Sequence, residues 1–233
     1  MDEVQEKAWT YLMQRIGSDI QDPILRLAFV HPTYALEQGQ KHKDNQRLEF
    51  LGDAVLGLVV GEMLYREYPA KNEGTLSSIR GVAVSETTLA QLALDLHFPD
   101  LLMLGKGEEK SGGRYRMSIL ADAFEAFLGG LYLCCDFRIL SDFVISLMRP
   151  VLQQIIETGY KDPKTTLQEM VQEKYKRNVT YRLLEERGPD HDKNFTCGVL
   201  WDDEIIALGR GKNKKDAERQ AAVLAIDYFA SVH

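Results

Sequence analysis

Apolar residues recur at three- and four-residue spacing from Ala8 to Leu152: Leu12 and Ile16, Ile24 to Leu27, Leu48 to Val59, Leu89 to Leu96, Ile119 to Leu133, and Phe143 to Ile156. Side chains at that spacing share a helix face, and no sustained two-residue alternation interrupts the pattern, so this part is expected to be all-helical. Breaks are expected at Pro32, Pro69, Pro99 and the glycine-rich stretch Gly105 to Gly113. After Pro163 the pattern changes. Thr165 to Tyr175 reads as a helix, Thr180 to Glu186, Phe195 to Trp201 and Glu204 to Gly209 as strands, and Lys214 to Phe229 as an alanine-rich helix. Gly188-Pro189-Asp190-His191 and Asp202-Asp203 supply the turn residues between the strands. The expected organisation is an all-α domain over 1–156, a polar linker over 157–162, and a small α+β domain of order α-β-β-β-α over 163–233.

With 233 residues, 45% of them hydrophobic, the chain can build packed cores, which excludes disorder as its main description. Its apolar runs, such as Val55–Val60 and Phe127–Cys135, are broken by glycine or end within about ten residues, short of the roughly 18–20 that span a bilayer. No membrane contact is expected. Met1-Asp2-Glu3 lacks the basic flank of a signal peptide, and Cys134, Cys135 and Cys197 have neither metal-ligand nor disulfide-framework spacing, so a cytoplasmic location is expected. Trp9 and Trp201 read as core or sheet-face aromatics.

The net charge is −7, and residues 161–233 carry 13 basic and 13 acidic side chains, so the whole deficit falls within 1–160. An acidic surplus opposes a nucleic-acid partner, because phosphate attraction dominates that affinity. The placement of the acids changes this picture. In Asn45-Gln46-Arg47-Leu48-Glu49-Phe50-Leu51-Gly52-Asp53, a helix would put Glu49 and Asp53 on one face, with Gln46 one turn earlier. Asp122 and Glu125 form a second pair, three apart, within the apolar stretch Ile119 to Gly130. Each pair admits two readings, a solvated helix face or carboxylates gathered around a divalent cation. Oxygen-only ligands without a Cys/His set would suit Mg²⁺ or Mn²⁺ rather than zinc.

These segments resemble the ribonuclease III family. Asn45 to Leu56 is similar to the family's signature stretch and Leu120 to Ala126 to its second acidic motif, with Glu73-Gly74-Thr75-Leu76-Ser77 and Ser111-Gly112-Gly113-Arg114 matching family stretches in order between them. Thr165 to Gln172, Gly188 to His191 and Gly209 to Ala222 resemble a double-stranded-RNA-binding domain. The resemblance covers nearly the whole chain and fits the two-domain bacterial form. It implies Glu49, Asp53, Asp122 and Glu125 as metal-binding carboxylates, Asp53 and Glu125 as catalytic, and Glu73 as an auxiliary acid. It also implies Mg²⁺-dependent hydrolysis of duplex RNA to 5′-phosphate and 3′-hydroxyl staggered ends, in ribosomal precursors and other structured transcripts. Bound cations would reverse the local sign of the acidic site. Gln46 departs from the family's usual Glu, and its expected role is to position RNA or water.

At the RNA-binding end, Lys212, Lys214 and Lys215 gather at a helix start, where backbone N–H groups also attract phosphate. Gln168, Glu169 and Gln172 on an amphipathic helix suit 2′-hydroxyl contacts, and His191 in its Gly-Pro turn could enter a neighbouring minor groove. Singly each is an ordinary surface residue; their spacing is that of the family. Asn213 stands where the family commonly has Ser. One motif set must serve two strands, so a homodimer is expected, with residues near Phe50 and Leu51 in its interface. A duplex-RNA-binding scaffold without cleavage is the competing class. A hydrolase of small phosphate compounds would leave 163–233 unexplained.

Overall fold

The structure, a computed structural model, describes residues 2–18, 20, 22–158, 163–188, 193–211 and 213–231. It divides into two compact units, Met1–Thr158 and Gly159–His233.

The first unit is helical: α1 (Glu3–Ile16), α2 (Pro23–Leu27), α3 (Pro32–Glu37), α4 (Gln46–Glu67), α5 (Glu73–Ala83), α6 (Glu86–Asp95), α7 (Phe98–Leu101), α8 (Lys106–Lys110), α9 (Met117–Cys134) and α10 (Phe137–Glu157). Pro32 and Pro99, expected as breaks, open α3 and α7 instead, because a proline in the first turn gives up an N–H that has no helical partner. Two further short elements, α8 and a 3₁₀ turn at Gly113–Tyr115, lie inside the glycine-rich stretch. Asn72, Ser85 and Asp136 cap α5, α6 and α10 through their side chains. Phe29, Phe98, Phe124 and Phe127 form a buried aromatic cluster around α9, and Trp9 packs edge-on against Phe29.

Two helices, α9 and α10, are long enough to cross a bilayer and average a hydropathy of 1.4, which corrects the expectation drawn from unbroken runs. A mean over a helix tolerates the glycines and acids that interrupt a run. Within the unit α9 is 61% buried and carries Asp122 and Glu125, so its apolar length is accounted for by the core.

The second unit comprises α11 (Pro163–Tyr175), β1 (Thr180–Arg187), β2 (Asn194–Trp201), β3 (Glu204–Gly211) and α12 (Lys214–Ser231). The strands form an antiparallel sheet of order β1-β2-β3, with Thr180 opposite Leu200 and Trp201 opposite Glu204. Asp202 and Asp203 join β2 to β3 with φ of 50° and 66°, the left-handed pair that a two-residue hairpin requires. Both helices cover one sheet face through Leu167, Val171, Val199, Ala221, Ala225 and Phe229. A Cβ on Gly209 would overlap Ala217 and Ala221, so α12 lies directly on β3 at that glycine.

Candidate active site

The four sequence-predicted carboxylates come together because α4 and α9 touch backbone to backbone. A Cβ on Gly52 would overlap the carbonyl oxygen of Glu125, and one on Gly129 would overlap that of Leu48. Gly52 immediately precedes Asp53, and it is the backbone of Glu125 itself that fills the space its missing side chain leaves. Close approach of the two helices therefore carries Glu49 and Asp53 to Asp122 and Glu125. Asp53 is exposed, whereas Glu49, Asp122 and Glu125 are half-buried.

The electrostatics follow from this crowding. Burial, reinforced by Asp53, Glu49 and Asp122, pushes the Glu125 carboxyl up to about 7. Glu49 is also raised, by burial and then by Asp122 and Asp53; Asp122 is raised by burial and then by Glu86. Among the described residues none of the four carboxylates hydrogen-bonds or ion-pairs with a cationic side chain. Four acids without a counter-charge, offering only oxygen, fit a hard divalent cation in donor chemistry. The side chains do not close into a ready cage: among the described residues no three His, Cys, Asp or Glu are grouped to hold a metal ion. Their mutual repulsion gives them no reason to converge without one.

Gln46 is exposed at the start of α4, one turn before Glu49, and its backbone N–H donates to Asp44 at 3.2 Å. Glu73 sits apart from the four acids. It is the exposed first residue of α5, accepts from Ser77 at 3.0 Å, and lines a cavity of about 670 Å³ with Arg66, Lys71 and Arg80; it is absent from the charges acting on Glu49, Asp122 and Glu125. Sequence reasoning missed Glu86, which acts on Asp122 from the first turn of α6. Ser85 before it marks a helix start, but nothing local places that start beside α9.

In the second unit, Glu169 and Gln172 are exposed on α11, while Gln168 is half-buried and donates to Asn178 at 2.6 Å. Lys214 and Lys215 are exposed in the first turn of α12, which Asn213 caps by accepting the Asp216 N–H at 2.9 Å. An ion pair of 2.6 Å between Lys164 and Glu218 ties α11 to α12, bringing these two sets of residues onto one joined framework. His191 and Lys212 lie outside the described residues. Cys134 is pushed up to about 11 by burial and then Cys135, which leaves it a thiol at neutral pH.

Comparison with known proteins fits this geometry. A family model described as Ribonuclease-III-like matches residues 21–152, and one described as Double-stranded RNA binding motif matches 163–228. Ribonuclease 3 of Moorella thermoacetica is 48% identical over 202 residues, spanning 87% of this chain and 86% of its own length. Ribonuclease 3 of Bacillus cereus strain G9842 is 41% identical over 222 residues, 94% of this chain and 91% of its own. Among solved structures, the nuclease domain of ribonuclease III from Campylobacter jejuni matches with a TM-score of 0.55 and 35% identity, covering 60% of this chain and 95% of that one. With its helical nuclease unit followed by a double-stranded-RNA-binding unit, the chain belongs to the ribonuclease III family of double-stranded-RNA endoribonucleases.

Proposed function

We propose that Glu49, Asp53, Asp122 and Glu125 hold the divalent cation of this metal-dependent endoribonuclease, Mg²⁺ with Mn²⁺ able to substitute, and that Asp53 and Glu125 stand nearest the reacting phosphate. The observation that carries this reading is the glycine contact between α4 and α9, which gathers four carboxylates that have no cationic partner among the described residues. Bound there, a divalent cation supplies an acidified water and neutralises charge on the leaving oxygen. The residues themselves do three things: they offer oxygen ligands, Glu125 keeps a proton near neutrality until positive charge arrives, and the buried helix contact fixes their backbones. Gln46, one turn before Glu49, positions RNA or water, and Glu73, which sits apart from the four acids, serves as an auxiliary group away from the metal.

Duplex RNA is gripped by Gln168, Glu169, Gln172 and His191 along its minor grooves and by Lys212, Lys214 and Lys215 on phosphate. Cleavage leaves 5′-phosphate and 3′-hydroxyl staggered ends in ribosomal precursors and other structured transcripts, and the enzyme works in the cytoplasm with 163–233 as its binding domain. Two strands are cut by a homodimer. Phe50, Leu58 and Tyr65 are 81%, 60% and 76% exposed along one face of α4, an apolar stripe suited to a second copy, and the Campylobacter jejuni nuclease domain is described as having a region involved in dimer formation. A labelled RNA hairpin incubated with chelator, Mg²⁺ or Mn²⁺ tests the reading: binding in all three and cleavage only with metal is expected. Binding without cleavage in either metal would select the scaffold class.

A further inference from the structure

Among the described residues, Asn45 is the only polar or charged residue buried in the core, at 2% exposure. It stands just before α4, yet its side chain makes no capping bond to that helix. Its Nδ2 instead donates to the Ala28 carbonyl at 3.3 Å and its backbone N–H to the Val30 carbonyl at 2.9 Å, while its own carbonyl accepts the N–H of Glu49 at 2.9 Å. The first turn of α4 thus hangs from the segment that follows α2.

That segment is fixed in turn. His31 N–H donates to Met103 at 3.0 Å, and Met103 N–H to Phe29 at 2.8 Å. Next to Met103, the Leu102 carbonyl accepts from the Arg114 guanidinium at 3.0 Å, which also donates to Pro99. Arg114 lies three residues before α9. Hydrogen bonds joined by short stretches of backbone, a bracket, therefore link the backbone of Glu49 to Arg114, just ahead of the helix that carries Asp122 and Glu125.

The glycine contacts set how closely α4 and α9 approach and resist a slip of a whole residue, about 1.5 Å, which would bring Leu51 or Asp53 against backbone. Metal–ligand distances tolerate only about 0.2 Å, so finer shifts along the helix axes still matter. We propose that Asn45 is a positioning residue: anchored through Ala28 and Val30 to the bracket that ends at Arg114, it sets the axial register of Glu49 and Asp53 against Asp122 and Glu125. This rests on the reading of the four acids as a cation site. An amide suits the task, since it supplies a donor to the Ala28 carbonyl without bringing a further charge into the interior.

The test uses the full-length protein, with Mn²⁺ binding followed by the loss of the free-ion paramagnetic resonance signal without RNA, alongside kcat, KM and Tm. Asn45→Ser and, at the other end of the bracket, Arg114→Gln should each weaken Mn²⁺ binding about tenfold, the lower end of what partners behind metal ligands cost, and reduce kcat with KM unchanged. Leu140→Ala, a buried change in α10 that lowers Tm without touching the bracket, should bind Mn²⁺ as wild type does. Wild-type Mn²⁺ affinity in Asn45→Ser and Arg114→Gln, or an equal loss in Leu140→Ala, would overturn the proposal. Glu49→Gln separates the two readings. If it binds Mn²⁺ normally, the cation site itself is wrong and the proposal falls with it; if it loses binding while the bracket variants keep theirs, only the positioning role is wrong.

Discussion

The nuclease unit and the RNA-binding unit are each closed at a contact with no room for a Cβ, Gly52 against Glu125 in one and Gly209 against Ala217 and Ala221 in the other. What surrounds the two contacts differs. Around Gly52 stand four carboxylates with no cationic partner among the described residues, three of them raised by burial and by acidic neighbours. In the second unit acids are paired with bases, Lys164 with Glu218 at 2.6 Å, Arg177 with Asp202 at 2.5 Å and Lys193 with Glu186 at 2.8 Å. On the proposed reading, chemistry at the first site is thus a property of one tertiary contact, and separating the helices removes it whole. Duplex binding, as proposed, is instead spread over side chains on several elements, each of which can be lost by itself.

The largest effect should come from breaking the two contacts in parallel. In Gly52→Ala the new methyl meets backbone, which cannot rotate away, so α4 and α9 must part; overpacking of this kind costs about 1–3 kcal/mol or more. Cleavage should collapse even where the variant still binds duplex RNA. Gly209→Ala should destabilise its own unit comparably and weaken duplex binding, while saturating RNA restores the cleavage rate. Single-turnover rates at saturating RNA distinguish them, and equal rates for both variants would remove the contrast.

A smaller and graded loss is expected on the binding side. Lys214→Ala with Lys215→Ala should weaken duplex binding and lower the slope of log affinity against log salt by about 1 per lysine, with cleavage of bound RNA unchanged. An unchanged slope would place these lysines away from phosphate.

The smallest effect concerns pH. Glu125 binds its proton up to about pH 7 in the folded protein and at ordinary carboxylate pH when unfolded, so the folded state holds more protons between those values. Stability of the chelated protein should therefore rise as pH falls from 8 to 6, and a divalent cation should stabilise more at pH 8 than at pH 6. Glu125→Gln should flatten the dependence. Melting temperatures in chelator that do not differ between pH 8 and 6 would contradict the crowding of these acids.

Much of this was legible in the sequence, for identifiable reasons. The second unit follows local rules, with the Asp202-Asp203 turn marking where β2 ends and β3 begins, and both residues fall in the left-handed region. The acid pairs were visible because helical spacing alone puts Glu49 near Asp53 and Asp122 near Glu125. Helix α5 escaped notice although Leu76, Ile79 and Ala83 stand at helical spacing, because glycines and serines, weak helix formers, stand among them. The meeting of the two pairs, the charge of Glu86 on Asp122 and the burial of Asn45 arise from packing between distant segments, which no local pattern encodes.

The central claim, that one helix contact builds the chemistry while a separate surface holds the RNA, is tested most directly by Glu125→Gln. Its single-turnover cleavage of a hairpin RNA in Mg²⁺ and its equilibrium binding of the same hairpin should be measured on one preparation. Cleavage at background with wild-type binding is the predicted result. Cleavage near the wild-type rate, or a loss of binding as large as the loss of cleavage, would contradict it.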